Sequence, residues 1–336
     1  MADARSSAGR RLHWGILGPG RIAPRIARAL TDNPRGELHA VAGRNEDRAR
    51  AFAERHGAAV THPTFDALLD DPSVDVVYVA LPNGLHAEWT IRALDAGKHV
   101  LCEKPFALTV AEIDAIAAAA ARNGRIAVEA FMYLHHPQTL RTLEIVRSGA
   151  LGRVQLVSGA FSFLLNYPGD PRIDPDLGAG SLWDVGCYPV SASRLIAGEE
   201  PDGVVGFARF DERGVDWTFV GQLRFPSGVL AHFESGFDAP DRERLEVVGS
   251  EATLVLDHPF LPAPDGPPAS MTIRRDGEIE TIEVEQADSY RAEVDDLQAA
   301  IINGATPRVS IPFSRGSIAT LVALDQAARS GRAAVE

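Results

Sequence analysis

Cysteine is almost missing from this chain of 336 residues: Cys102 and Cys187 are the whole supply. Two thiols cannot build a disulfide framework, and their spacing is not that of a zinc site, so both read as small buried side chains. Long apolar runs are missing too. None approaches the roughly twenty residues that cross a bilayer, so no membrane-spanning segment is expected. The stretch Met1–Arg11 holds an Arg10-Arg11 pair but not the apolar segment of an export signal. Residues 1–10 therefore read as a frayed terminus and the protein as cytoplasmic. Positive charge is in deficit, Lys+Arg 33 against Asp+Glu 46 for a net charge of -13, which argues against nucleic acids or anionic membranes as partners. The deficit is uneven. Residues 1–60 carry eleven arginines against six carboxylates, an asymmetry that can mark a local anion site in an otherwise acidic protein.

What the sequence does contain is regular alternation. At roughly 150 residues per domain the length implies two domains, and hydrophobic residues at 45% put the chain among globular proteins rather than disordered ones. Through about residue 130, apolar strand runs (12–17, 38–42, 74–81, 99–102 and 126–128) alternate with helical stretches (21–30, 46–56, 87–96 and 111–122). This is the pattern of βαβ units around a parallel sheet. Gly57, Gly97 and Gly124 stand where those helices stop, and Thr109-Val-Ala-Glu112 is a capping box. Beyond it, a helix near 137–147 leads into long strands (154–163, 204–210, 217–225, 229–237, 245–248, 253–256 and 271–284). Short turns join them, so an antiparallel sheet is expected. Residues 256–270, rich in Pro and Gly, read as a surface loop. Two late helices follow: Tyr290, Val294, Leu297 and Ile301 share one face of the first, and Ser314 is expected to cap the second.

Gly18-Pro-Gly20-Arg21-Ile22-Ala23 follows the first strand and opens the first helix, fitting the fingerprint G-x-G-x-x-G/A. The first glycine permits the tight turn, the second lets backbone approach a pyrophosphate, and the small third residue allows close helix packing. Helix-start amides then bind the anion, with Arg21 adding charge or merely solvated. An NAD-preferring site would end its second strand in Asp or Glu, yet this strand ends Ala42-Gly43-Arg44-Asn45. Arg44, with Arg48 a helical turn later, suits the 2′-phosphate of NADP, since a guanidinium fork matches phosphate; the alternative is that both solvate a helix start. The expected architecture is α/β. A Rossmann doubly wound parallel sheet spans 1–130, and an α/β domain with an open, mostly antiparallel sheet spans 131–336.

Leu81-Pro-Asn83-Gly-Leu-His86, then Gly97-Lys-His-Val-Leu-Cys-Glu103-Lys104-Pro105, and Gly178-Ala-Gly180-Ser-Leu-Trp-Asp184-Val-Gly-Cys-Tyr188-Pro189 resemble the diagnostic motifs of the Gfo/Idh/MocA oxidoreductase family. Tyr188 and Glu129-Ala-Phe-Met-Tyr133 resemble the branch holding glucose-fructose oxidoreductase, dimeric dihydrodiol dehydrogenase, 1,5-anhydrofructose reductase and NADP-dependent D-xylose dehydrogenase. The resemblance implies hydride transfer between NADP(H), preferred over NAD, and a carbinol carbon of a sugar or related polyol, with D-xylose the leading substrate. It also implies that Leu81, Asn83, His86 and Glu103 lie by the cofactor, and that the C-terminal sheet pairs subunits into a homodimer or homotetramer. Leu134 and Ala179 depart from close relatives, which often carry Arg and Gly there.

Three residues are expected to carry the chemistry. Lys104, just past a parallel strand, can hold a substrate hydroxyl and exchange its proton, with Tyr188 as a second proton group and Asp184 orienting substrate. Read without the resemblance, Lys104 is a surface lysine, Asp184 an N-cap and Tyr188 a core aromatic. Arg172, Asn166, Tyr167 and Trp183 suit a sugar pocket, or equally a loop or interface. His135-His136 is not a convincing ligand set, and no metal is expected. Two rival readings are a non-catalytic NADP-sensing regulator and NAD-assisted glycoside cleavage.

Overall fold

The computed structural model describes residues 11–166, 169–262 and 268–331. The expected frayed terminus, 1–10, lies outside them. The chain divides into two units, residues 1–135 with 288–314 and residues 136–287 with 315–336.

In the first unit, β1 (Leu12–Leu17), α1 (Ala23–Leu30), β2 (Gly36–Ala42), α2 (Glu46–His56), β3 (Val60–His62), α3 (Phe65–Leu69), β4 (Val76–Val79), α4 (His86–Asp95), β5 (His99–Glu103), α5 (Val110–Asn123) and β6 (Ala127–Ala130) follow in order. The sheet order is β3-β2-β1-β4-β5-β6, all parallel. Trp14, Ile16, Leu17, Val76, Val77, Tyr78 and Leu101 are fully buried; strands covered on both faces read as continuous apolar runs, which is why the sequence shows them clearly. The expected capping box is present at Thr109 and Glu112. Strand order reverses between β1 and β4, and ligands of open parallel sheets bind beyond the carboxyl ends of the strands at such a switch point. The glycine turn and Leu81-Pro-Asn83 are the two segments that leave β1 and β4 there.

A distant helix, Ser289–Asn303, packs against α1 in this unit, burying Val294 and Leu297. The sequence reading counts it with 131–336. Its apolar face is legible locally, but what that face covers is a long-range contact that periodicity does not encode. Ser314, expected as a cap, lies inside the last helix, Ile311–Ser330; Ser310 Oγ accepts from the Phe313 N–H instead.

The second unit opens with α6 (Pro137–Arg147) and β7 (Val154–Leu164), then α7 (Cys187–Ala197) and β8 (Gly203–Phe210), β9 (Asp216–Arg224), β10 (Leu230–Gly236), β11 (Asp238–Gly249), β12 (Thr253–Leu256), β13 (Ser270–Arg275) and β14 (Glu278–Glu283). They form one sheet, β14-β13-β12-β11-β7-β10-β9-β8, antiparallel except where β10 runs parallel to β7. The expected single strand 271–284 is a hairpin. Asp276 (φ 50) and Gly277 (φ 87) are both left-handed, as a two-residue Asp-Gly turn requires. Residues 256–270 are not wholly a surface loop: Phe260 is fully buried, while 263–267 lie outside the described residues. One sheet face is packed, with Phe219, Leu223, Ala231 and Phe233 buried. The other leaves Val205, Phe207, Val220 and Leu230 exposed; the register pairs Phe207 with Val220, with Val205 two residues along β8, while Leu230 stands opposite Arg224. No helix among the described residues is long and apolar enough to cross a membrane.

Candidate active site

The two glycines of the turn differ: one is crowded by the chain and the next stands in open space. Gly18 sits at φ +85, and a Cβ there would lie 2.8 Å from the Ala80 carbonyl oxygen and 2.8 Å from Leu81 Cδ2. Its N–H donates to Ala42 O at 2.9 Å, and Gly20 N–H donates to Gly18 O at 2.7 Å. A Cβ on Gly20 would meet nothing nearer than Gly18 O at 3.9 Å. Packing therefore does not demand glycine at position 20, and the open space there leaves room for close approach by a group outside the chain. Ala23, fully buried, opens α1, and Ile22 at its N-cap supplies no side-chain acceptor, leaving helix-start amides for an anion. These features fit a dinucleotide pyrophosphate.

At the end of β2, Gly43 packs on Pro19, a Cβ there falling 2.9 Å from Pro19 Cδ. Arg44 and Arg48 are exposed, and Asn45 caps α2 by accepting from the Arg48 N–H at 2.9 Å. The carboxylates of this turn are engaged by another arginine: Arg50 lies 2.8 Å from Glu46 and 3.5 Å from Asp47. Among the described residues Arg44 and Arg48 have no carboxylate partner, so both guanidinium groups remain available to an anion.

Lys104 follows β5 in a loop pinned from both sides. His86, 1% exposed, sets Nδ1 2.7 Å from the Pro105 carbonyl and Nε2 2.7 Å from the Leu81 carbonyl. Burial lowers its pKa against the pull of both carbonyls, and the charge of Lys104 adds to the lowering. It is a clamp between two backbone turns. Beyond Pro105, the Phe106 N–H donates to Glu129 Oε1 at 3.0 Å. Glu103, expected at the cofactor, receives a hydrogen bond from the buried Tyr78 hydroxyl. Burial pushes the Tyr78 phenol up, and Glu103 reinforces this. Glu293, buried with Glu103, Asp296 and Glu129 near it, is driven well above the usual carboxyl range by burial first and those charges second. Asn83 begins the short 3₁₀ turn 83–85.

In the second unit, residues 182–186 form a π-helical turn that runs into α7. Such i→i+5 turns recur at functional sites, and sequence periodicity gives no sign of them. Asp184 is the middle residue of this turn and Tyr188 lies in the first turn of α7. Arg172 bonds Asp170 in bidentate fashion, at 2.9 Å through Nε and 2.9 Å through Nη2, and its Nη1 lies 3.6 Å from Asp184 Oδ2. Its guanidinium also covers the Phe163 ring, 5.1 Å from the centroid. Against the pull of burial, Asp170 and Asp184 hold the Arg172 pKa above its usual value. The expected sugar contact thus engages two carboxylates of its own chain, Asp170 and Asp184. Tyr188 is buried beside Phe161 and Phe260, at centroid separations of 5.3 Å and 5.5 Å. Trp183 is buried and Asn166 exposed; Tyr167 lies outside the described residues.

Three residues in these surroundings escaped the sequence reading: Tyr78, Phe260 and Asp216. Asp216, buried at the start of β9, accepts from Ser181 and Leu182. An aspartate leading into Trp217-Thr-Phe-Val is a polar residue in an apolar strand, a signal that was there to be read. No group of three potential metal ligands occurs among the described residues.

Comparison with known proteins sets these features in context. Residues 12–131 match the model of an oxidoreductase family with an NAD-binding Rossmann fold, and residues 139–255 match the GFO/IDH/MocA C-terminal domain. A D-xylose 1-dehydrogenase (NADP(+)) of Haloferax volcanii is 40% identical over 326 residues, 96% of this chain and 99% of that protein. Among solved structures, an aldose-aldose oxidoreductase from Caulobacter crescentus complexed with glycerol is similar, with a TM-score of 0.88 and 31% identity over 96% of this chain and 99% of that one. A 3-ketoreductase from Actinomadura kijaniata, in complex with NADP and TDP-benzene, also gives 0.88, at 32% identity over 96% and 98% of the two chains.

Proposed function

Because the chain belongs to the GFO/IDH/MocA oxidoreductase family, we propose that it transfers hydride between NADP(H) and a carbinol carbon of a sugar or related polyol, D-xylose foremost. It is a dehydrogenase or reductase. The observation that carries the reading is a run of contacts within the first unit. Gly18 sits against Leu81, the Leu81 carbonyl meets His86, and His86 meets the Pro105 carbonyl beside Lys104. The phosphate turn and the lysine loop are thereby fixed to one another.

Gly18, Gly20, Ile22 and Ala23 would hold the pyrophosphate, Arg21 would add charge, and Arg44 with Arg48 would hold the 2′-phosphate. Gly43, Leu81, Asn83, His86 and Glu103 would shape the rest of the cradle. When bound, NADP supplies the hydride acceptor. Lys104 takes the proton of the substrate hydroxyl as the carbinol C–H leaves as hydride, Tyr188 offers a second proton site, and Asp184, aligned by Arg172, orients the substrate. The exposed apolar residues Val205, Phe207 and Val220, neighbours on one face of β8 and β9, support a homodimer or homotetramer through the C-terminal sheet; a monomer mass by light scattering would refute that.

The deciding experiment is a panel of aldoses, polyols and trans-dihydrodiols with NADP and with NAD, followed by nicotinamide absorbance. Fastest turnover with D-xylose and NADP is expected, whereas preference for a dihydrodiol or anhydrofructose would move the assignment within the family. Silence across the panel with cofactor bound would overturn it in favour of a sensor. Release of free sugar from a glycoside, without net cofactor reduction, would identify hydride-borrowing cleavage. Arg44→Asp is expected to raise the KM for NADPH about tenfold to a hundredfold, the worth of a charge-assisted contact, and to leave that for NADH nearly unchanged. Equal effects on both cofactors would sink the 2′-phosphate assignment.

A further inference from the structure

The segment 180–188 is held by Asp216 and Ser235, two residues that neither the motifs nor the family reading includes. Asp216 is 2% exposed. Its Oδ2 accepts from Ser181 Oγ at 2.7 Å and from the Leu182 N–H at 2.8 Å. Its Oδ1 occupies the place of a side chain at Gly180, where a Cβ would lie 1.9 Å away. Ser181 Oγ is also 3.1 Å from Ser235 Oγ, and a Cβ on Gly186 would fall 3.0 Å from that same Ser235 oxygen. Both ends of the π turn therefore rest on one cluster, Asp216 with Ser235, supplied by the adjacent strands β9 and β10.

Residue 180 transmits this hold. Its N–H donates to the Arg172 carbonyl at 3.1 Å, and its carbonyl accepts the Asp184 N–H at 3.1 Å. Arg172 and Asp184, whose side chains face each other, thus share a backbone anchor at Gly180. A carboxylate is costly to bury unless donors meet it, and burial, with Asp325 adding repulsion, pushes Asp216 up to about 6 against the pull of Ser181 and Leu182. A negative group at the first amides of a helical segment is where the backbone dipole welcomes it.

We propose that Asp216 is a positioning residue for the reaction: it caps the π turn from a neighbouring strand and so sets where Asp184 and Tyr188 meet the substrate. This rests on the substrate-site reading above. Displacing a reacting group by about 1 Å can cost about a hundredfold, so Asp216→Ala is expected to lower kcat with D-xylose and NADP by about that factor, with the KM for NADP held within about twofold. Asp216→Asn retains an acceptor for Ser181 and Leu182 and should restore most of the loss. In a Tyr188→Phe background the further change Asp216→Ala should cost no more than about threefold, because sites acting through one another are not additive. An equal factor in both backgrounds, or no rescue by asparagine, overturns the proposal. If Asp216→Ala fails to fold, Ser181→Ala removes one donor to the same oxygen and should split kcat from KM in the same way; wild-type kcat in Ser181→Ala would then overturn it. A crystal structure of Asp216→Ala reads the hold without turnover: segment 180–188 should be displaced, and an unmoved segment overturns the proposal. A displaced segment in a protein that oxidises no sugar would uphold the Asp216 anchor and sink the substrate assignment instead.

Discussion

Replacing Lys104 with methionine is expected to lower kcat for D-xylose oxidation about a thousandfold, the middle of the range for losing a general acid–base group. NADPH affinity should stay within about threefold, because hydrogen bonds to the backbone on the far side of Lys104 hold the loop. His86 clamps Pro105 from one side and Glu129 holds the Phe106 amide from the other, both through backbone atoms. Methionine keeps most of the length of the stem and removes the ammonium head. Turnover at saturating substrate and fluorescence titration of NADPH measure the two quantities separately. A kcat within threefold of wild type would remove Lys104 from the chemistry.

The second large effect is expected at Gly20. Its backbone lies outside the left-handed region, and a Cβ there would meet no protein atom closer than 3.9 Å. Gly20→Val should therefore leave the melting temperature nearly unchanged while raising the Kd for NADPH about a hundredfold, since the branched side chain would fill the space a pyrophosphate needs. Gly18→Val supplies the contrast. At φ +85, with the Ala80 carbonyl 2.8 Å from its Cβ, it is expected to lower both melting temperature and affinity. Thermal melts beside NADPH titrations distinguish the two positions. Unaltered cofactor affinity in Gly20→Val would refute the cradle.

What could be read from the sequence was local or strongly periodic. The fingerprint turn, the Thr109–Glu112 box and the buried parallel strands each declare themselves within a dozen residues, and the structure places them as expected. The misses are of another kind. Asp276-Gly277 is a hairpin signal hidden inside an otherwise continuous strand pattern, because strand-like alternation persists on both sides. Phe260 lies in a Pro-rich stretch whose composition says surface, yet its ring is buried beside Tyr188. Arg172 suits a sugar pocket by residue type alone, whereas Asp170, only two residues earlier, takes it in bidentate fashion. Asp216 lies 35 residues from Ser181, and no local pattern links a strand-start carboxylate to a distant helical turn. In each case the deciding partner belongs to the tertiary structure rather than to the neighbouring residues.

The helix Ser289–Asn303 bears on how the protein is made. A Cβ on Gly36 would fall 2.9 Å from Trp14 Nε1 and against the end of the Gln298 side chain, so this late helix closes over residues translated near the beginning. A ribosome that has finished the six parallel strands must still add everything up to Asn303 before that closure is possible, a delay on the order of ten seconds at cellular elongation rates. During that interval the nascent first unit lacks one of its own walls, and its apolar surface is exposed to chaperones or to other nascent chains. A gene fragment ending at the strand Ala127–Ala130 would make that unfinished state permanent.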